Sequence, residues 1–150
     1  MSSIFRAMRI SATALTSERL RMDVISNNIA NSQTTRTAEG GAYKRKRVIF
    51  QAQEEGRSPL QRIQRSGDMA EVYGLQGVRV RRITESEEGM SRQYDPTHPD
   101  AGEDGFVEYP NVDISTEMVD LMAASKAYQS NITVIQTAKT MAQAALQIGR

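Results

Sequence analysis

Three observations predict an α+β fold in which long N- and C-terminal amphipathic helices pack as a coiled-coil-like pair, with a small β-rich middle region. Apolar residues recur at helical spacing through residues 3–30 and 114–148. Neither stretch contains Gly or Pro. Between them lie Gly-punctuated segments with β-branched residues in period-two alternation. The implied divisions are an N-terminal helix over 1–31, a β-rich middle with extended loops over 32–112, and a C-terminal helix over 113–150.

In the first helix Ile4, Met8, Ser11, Leu15, Glu18, Met22, Ile25 and Ile29 follow one another at alternating steps of four and three. That spacing stacks them on one face. The pattern stops at Asn27-Asn28-Ile29-Ala30-Asn31-Ser32. Asn bonds nearby backbone and tolerates left-handed conformation, so it suits a helix end better than a helix interior.

The middle opens with Gly40-Gly41, and strands are expected over Tyr43–Gln51 and Gly77–Ile83. Val78 and Val80 alternate with Arg79 and Arg81. Gly67, Gly74, Gly89, Gly102 and Gly105 mark further turns, and Phe106-Val107-Glu108-Tyr109 reads as a strand ahead of Pro110.

The second helix carries two stripes, Leu121, Ser125, Tyr128, Ile132, Ile135 and Val134, Ala138, Met141, Ala145, Ile148. Asp113 or Ser115 is placed to cap it, with Glu117 and Asp120 near the positive end of its dipole. At about 1.5 Å per residue it spans roughly 50 Å, more than a compact domain of this length needs. Isolated helices are marginal in water, so both apolar faces need partners. The two helices satisfying each other within one chain is one solution. The wide face of the second helix gives weight to packing between chains, through Ile4, Met8, Leu15, Met22, Ile25, Ile29, Leu121, Tyr128, Ile132, Ile135, Ala138 and Met141.

Composition narrows the chemistry. The chain has 150 residues, 39% of them hydrophobic and 5% aromatic, with no Trp and eight Met. Such a core leaves little surplus for a deep pre-formed pocket. There is no Cys, which removes thiolate metal sites and Cys nucleophiles. His98 is the single histidine, and no nucleophile elbow or phosphate loop accompanies it. The tripeptide His98-Pro99-Asp100 matches that of J-domain co-chaperones but sits in an acidic, turn-rich stretch rather than after a basic helix. Asp95, Asp100, Glu103 and Asp104 suggest calcium until Gly102 is seen where a ligand is required. No catalytic constellation, metal site or cofactor is therefore expected. Neither a cleaved signal peptide nor a membrane span is expected, since Ser3, Arg6, Arg9 and Ser11 interrupt the N-terminal apolar run.

Charge is unevenly spread. Basic residues outnumber acidic ones 5 to 3 in residues 1–41 and 11 to 7 in 42–92, whereas acidic ones lead 8 to 3 in 93–150. Opposite signs suit head-to-tail contacts between copies at least as well as nucleic-acid binding. Lys44, Arg45, Lys46, Arg47, Arg79 and Arg81 are the candidate charge contacts. As a soluble nucleic-acid-binding module the chain would use the 44–47 and 79–82 clusters. Only Tyr43 and Phe50 stand near to stack on bases, and alternation would split the charges between two faces.

The run Arg21-Met22-Asp23-Val24-Ile25-Ser26-Asn27-Asn28-Ile29-Ala30-Asn31 resembles the N-terminal signature of the bacterial flagellar rod and hook axial proteins. Many members continue with a Thr-x-Gly-aromatic element. Here the chain reads Ser32-Gln33-Thr34-Thr35-Arg36-Thr37 and then Gly40-Gly41-Ala42-Tyr43-Lys44-Arg45-Lys46, which is closest to the short proximal-rod members. Tyr94 to Ala101, Gly105 to Asp113, Glu117 to Met122, Ser125, Tyr128 and Asn131 agree; the segment from about Gln51 to Gly74 matches nothing specific. The resemblance implies a structural subunit whose terminal helices pack into a tube, the rod of the basal body in the periplasm, which transmits torque for motility. It implies Asn27, Asn28, Ala30 and Asn31 as the motif that fixes the chain's exit from the helix. It implies self-association, contact with other proximal- and distal-rod proteins and the rod-export-gate adaptor, and export by the flagellar type III apparatus without a cleaved signal.

Overall fold

The computed structural model describes residues 2–53, 76–86 and 89–148, which form two helices and four strands. Helix α1 runs Ser2–Ala30 and helix α2 Ile114–Ile148. Between them come β1 (Lys46–Ala52), β2 (Val78–Glu85), β3 (Ser91–Tyr94) and β4 (Phe106–Tyr109). The fold is α+β, as the periodicity implies. No helix among the described residues is long and apolar enough to cross a membrane. Gly67 and Gly74, read above as punctuation, lie outside the described residues.

Helix α1 starts one residue before the expected bound and ends at it. Every member of its 4/3 stripe is buried or half-buried, with Ser11 and Ile25 the most enclosed. Spacing thus set which face of α1 turns inward, although Ser11 shows that this face is not uniformly apolar. Asn31 closes the helix. Its backbone N–H donates to Asn27 O at 3.1 Å, and its side-chain Nδ2 donates to the same carbonyl at 2.9 Å. The Asn27 carbonyl in the last turn thus accepts two bonds from Asn31.

Helix α2 begins at Asp113, which the structure selects over Ser115 as the cap. Its carboxylate accepts from Ser115 N at 3.1 Å, Thr116 N at 3.3 Å and Thr116 Oγ1 at 2.6 Å. These bonds hold the Asp113 carboxyl below the usual range, led by the one from the Thr116 hydroxyl. Of the first α2 stripe, Leu121, Tyr128, Ile132 and Ile135 are half-buried and Ser125 is exposed; of the second, Ala138 is buried, and Val134, Met141 and Ala145 are exposed.

The strands form two two-stranded sheets, β1 with β2 and β3 with β4. Gln53 N donates to Gly77 O at one end of the first sheet and Ser86 N to Arg45 O at the other, so β1 and β2 run antiparallel. Val78 and Val80 are half-buried and Arg79 and Arg81 exposed, as alternation predicts, but Arg82 and Ile83 are exposed too. Strand β3 had no sequence signal. Its four residues, Ser91-Arg92-Gln93-Tyr94, are polar or exposed, and they order by pairing with β4 in the register Ser91↔Tyr109 to Tyr94↔Phe106. The hairpin is clasped by Arg92 on Glu108, at 2.7 Å, and by the edge-to-face rings of Tyr94 and Phe106, 5.3 Å apart.

The chain divides into two compact units, Met1–Glu18 with Phe50–Arg81 and Ala127–Arg150, and Arg19–Ile49 with Arg82–Lys126. In the first, Thr13 Oγ1 donates to Ile10 O at 2.7 Å and accepts from Val78 N at 3.1 Å, pinning the start of β2 to α1. A Cβ at Gly77 would lie 2.6 Å from that hydroxyl and 3.1 Å from Gln53 Oε1. In the second, Ile25, Ala42, Tyr43, Val107 and Ala124 are buried together with two polar side chains, Asn28 and Glu117.

Gly77→Ala is expected to displace Thr13 and release Val78 N, at a cost of about 1–3 kcal/mol for overpacking a fitted contact. A urea-unfolding midpoint unchanged from wild type would show that Thr13 yields freely and the pin has no weight.

Candidate functional site

Asn28 and Glu117 are each 1% exposed and, with Val107, are the largest side chains among the described residues to be so completely enclosed. Both lie in the second unit, Asn28 in the last turn of α1 and Glu117 in the first turn of α2. Asn28 Nδ2 donates to Glu117 Oε2 at 3.0 Å, joining the two helices directly.

The Asn28 amide has two donors and a carbonyl oxygen with two lone pairs, and all four are used. Nδ2 also donates to Lys46 O at 2.9 Å, while Oδ1 accepts from Lys46 N at 2.9 Å. The side chain thus pairs with one residue of β1 as a neighbouring strand would. The fourth partner is the Tyr43 hydroxyl, which donates to Asn28 Oδ1 at 2.9 Å with Asn27 Oδ1 3.2 Å away. Burial, then the nearby carboxylates of Glu85 and Glu117, raise the Tyr43 phenol above its ordinary value.

Glu117 is matched as fully. Its Oε1 accepts from Arg45 Nε at 2.6 Å and from a second nitrogen of the same guanidinium. Arg45 reaches Asp120 as well, at 3.5 Å. A carboxylate removed from water needs both an opposite charge and hydrogen bonds, and Glu117 has them from Arg45 and Asn28. The backbone of Arg45 is held in turn, its N–H donating to Asn111 Oδ1 at 3.1 Å.

The segment between α1 and β1 brings these groups together. Gly40 and Gly41 both have positive φ, 90° and 77°, a conformation costly for any residue with a side chain. They reverse the chain so that Thr37 N donates to Gly41 O at 2.9 Å and Tyr43 N to Thr34 O at 3.0 Å. Tyr43 is thereby returned to the helix end it left at Asn31.

Two of the six expected charge contacts have carboxylate partners within the chain. Arg45 is tied to Glu117 and Asp120, and Lys46 lies 3.8 Å from Glu85 and over the Tyr43 ring. Neither is left for a nucleic-acid backbone. Lys44, Arg47, Arg79 and Arg81 are exposed, with Arg79 reaching Gln51. Of the motif residues, Asn27 and Ala30 are exposed and Asn31 is half-buried. Ile4, Met8, Leu15, Met22 and Ile29 are half-buried and Ile25 is buried. Asp95 accepts from Thr97 and Asp100 from Thr35, so these two acids stabilise turns. From its position in the sequence alone, Glu117 has only a dipole role. Stepping the Leu121 stripe back by four residues would have placed it on the inward face. Apolar residues outside the expected set stand exposed on α2: Ile114, Met118 and Met122, spaced by four, with Val119 and Leu146.

The polar groups of Asn28 and Glu117 are taken up by bonds within the chain, so the geometry of the junction holds chain segments together. Comparison with known proteins agrees with such a role. Residues 8–36 match the family model described as flagella basal body rod protein, and residues 103–148 match the flagellar basal body rod FlgEFG protein C-terminal model. The chain is 42% identical over 149 residues to the flagellar basal-body rod protein FlgC of Borreliella burgdorferi, covering 97% of each. It is 41% identical over 150 residues to FlgC of Bacillus subtilis, covering 97% of this chain and 98% of that one. With FlgC of Salmonella typhimurium it shares 33% identity over 141 residues, 94% of each.

Glu117→Ala leaves the Arg45 guanidinium half-buried without its main partner, and a loss of about 3–5 kcal/mol is expected. Asn28→Ala strands the Lys46 N–H and C=O, at about 1–3 kcal/mol for each buried group left unpaired. Denaturation midpoints within error of wild type for both variants would contradict the assignment. Because the folded Asp113 carboxyl is depressed, its contribution is present at neutral pH and lost as pH falls through the acid range. Asp113→Asn should therefore reduce helicity at neutral pH and have less effect in acid, read by circular dichroism at matched ionic strength.

Proposed function

The chain belongs to the FlgC family of flagellar basal-body rod proteins, and from that premise we propose that its two helices pack with those of neighbouring subunits to build the proximal rod. It is a structural subunit of the basal body. In the finer reading the rod crosses the periplasm as a drive shaft, and the subunit reaches it through the flagellar type III export apparatus. Its neighbours are further copies, other proximal- and distal-rod proteins and the rod-export-gate adaptor. A shaft under torque needs stiffness and close lateral contact, not a reactive centre.

The observation that carries this reading is the exposed apolar row Ile114, Met118 and Met122 on α2, a helix otherwise anchored in its own chain through Glu117. A large apolar surface left open by a subunit's own fold marks a face for association. Its removal from water contributes about 25 cal/mol per Å². The stripe residues Ile4, Met8, Leu15, Met22, Ile25, Ile29, Leu121, Tyr128, Ile132, Ile135, Ala138 and Met141 supply the helical layer. Asn27, Asn28, Ala30 and Asn31 fix where the chain leaves that layer for the β-rich middle. On this reading residues 1–31 and 113–150 are assembly segments and 32–112 lies outside the tube.

Met122→Asp tests the proposal without touching the buried junction. The variant should be secreted at wild-type levels yet fail to enter basal bodies, leaving cells non-motile. Normal motility with the variant present in purified basal bodies would overturn the placement of this row at a subunit contact.

A further inference from the structure

We infer that the aromatic tip of the β3–β4 hairpin packs on Met118 and Met122 of a second copy of this chain, giving a head-to-tail contact; this deepens, and rests on, the rod-subunit reading above. Tyr94 and Phe106 are the paired residues at the tip, and their rings meet edge to face with centroids 5.3 Å apart. Side chains alternate along a strand, so Arg92 and Glu108, the cross-strand pair two residues back, share the face of the rings. Val107 takes the opposite face and is buried. The hairpin therefore grips its own chain through Val107 and turns the rings outward, leaving Tyr94 65% and Phe106 46% exposed. The rings are also held in place. Gly105 has φ 72°, and a Cβ there would lie 2.9 Å from Tyr94 Cε2, so the ring rests against the turn itself. Asp95 N donates to Gly105 O and Gly102 N to Phe106 O, both at 3.0 Å, which closes the loop behind the rings. An apolar group already fixed in its docking geometry loses little freedom on binding.

Met118 and Met122 match this tip in chemistry and in spacing. Both are more than half exposed. A rise of about 1.5 Å per residue sets them roughly 6 Å apart along α2, close to the 5.3 Å between the two rings. Each ring can therefore meet one thioether, and sulfur–aromatic contacts are favourable. Methionine also adapts its shape to what it meets, whereas the rings are fixed. Tip and row belong to the same compact unit, yet each stays uncovered when that unit is folded. A second copy carries both surfaces and can cover both. Each subunit gives its tip to one neighbour and its row to another, which is the heterologous arrangement that builds rings or open filaments.

The absence of native cysteine makes the test direct. Asp104, beside the tip, and Ser125, one turn beyond Met122, are both exposed, so each can be replaced while the four contact residues stay. A chain carrying Asp104→Cys and Ser125→Cys is expressed in place of the wild type, and isolated basal bodies are treated with a short bifunctional maleimide. A ladder of cross-linked copies is expected from the double variant and none from either single variant. Dimers from a single variant would mean that tip meets tip or row meets row, and would overturn the contact. So would links only to a different rod protein, or no link at all. Should the double variant not assemble, Phe106→p-benzoylphenylalanine decides, since it keeps an aromatic ring at the tip. Irradiated cells should then yield a dimer joined at Met118 or Met122 of the second copy; adducts only elsewhere, or none, overturn the inference. If the wild-type subunit is itself missing from basal bodies, the rod-subunit reading fails, and that result is scored separately.

Discussion

Burying the Glu117 carboxylate is the constraint around which the second unit is built. A carboxylate taken out of water without compensation would cost several kcal/mol. Here Arg45 and Asn28 meet it from the segment leading into β1 and from α1, so the charge is tolerable only when both of these and α2 are in place. Asn28 strengthens that dependence, since its amide binds both the N–H and the C=O of Lys46 while holding Glu117. Removing any one partner leaves buried polar groups unpaired. An apolar contact of the same size would tolerate sliding between the helices; this one specifies a single register.

Such a junction suits a subunit of a stiff assembly. Helices that present apolar rows to neighbours cannot rely on those rows alone to fix their relative position, because apolar packing is adaptable, especially with methionine. The polar junction ties the last turn of α1 to the first turn of α2, and the Gly40-Gly41 reversal returns Tyr43 to the same point. The faces left over, including Ile114, Met118 and Met122, are then presented from a defined frame. Hydrogen bonds fix geometry inside the chain, and burial of apolar surface drives contact between chains.

Much of this was legible in the residue order. Spacing by fours and threes marked both helices and the inward face of α1, because a helix must hide a continuous apolar face and leaves Gly and Pro outside it. The Asn27-to-Asn31 run marked the helix end correctly, since Asn31 caps it. The same run hid the more consequential fact that Asn28 serves a strand and the other helix rather than its own terminus. Side-chain pairing of residues 28 and 117, or 45 and 117, leaves no local periodicity to detect. Arg45 looked like one of four surface charges because alternation says which face a residue takes, not what waits there. Strand β3 was invisible for a related reason: Ser91-Arg92-Gln93-Tyr94 has little strand preference, and its order comes from β4.

The most direct test is an image reconstruction of isolated basal bodies built with this chain, at a resolution that traces side chains. The expected result is the subunit within the rod, α1 and α2 in its helical layers, and Asn28 bonded to Glu117 of the same chain. A rod without the subunit, or one in which Asn28 and Glu117 belong to different subunits, would contradict it.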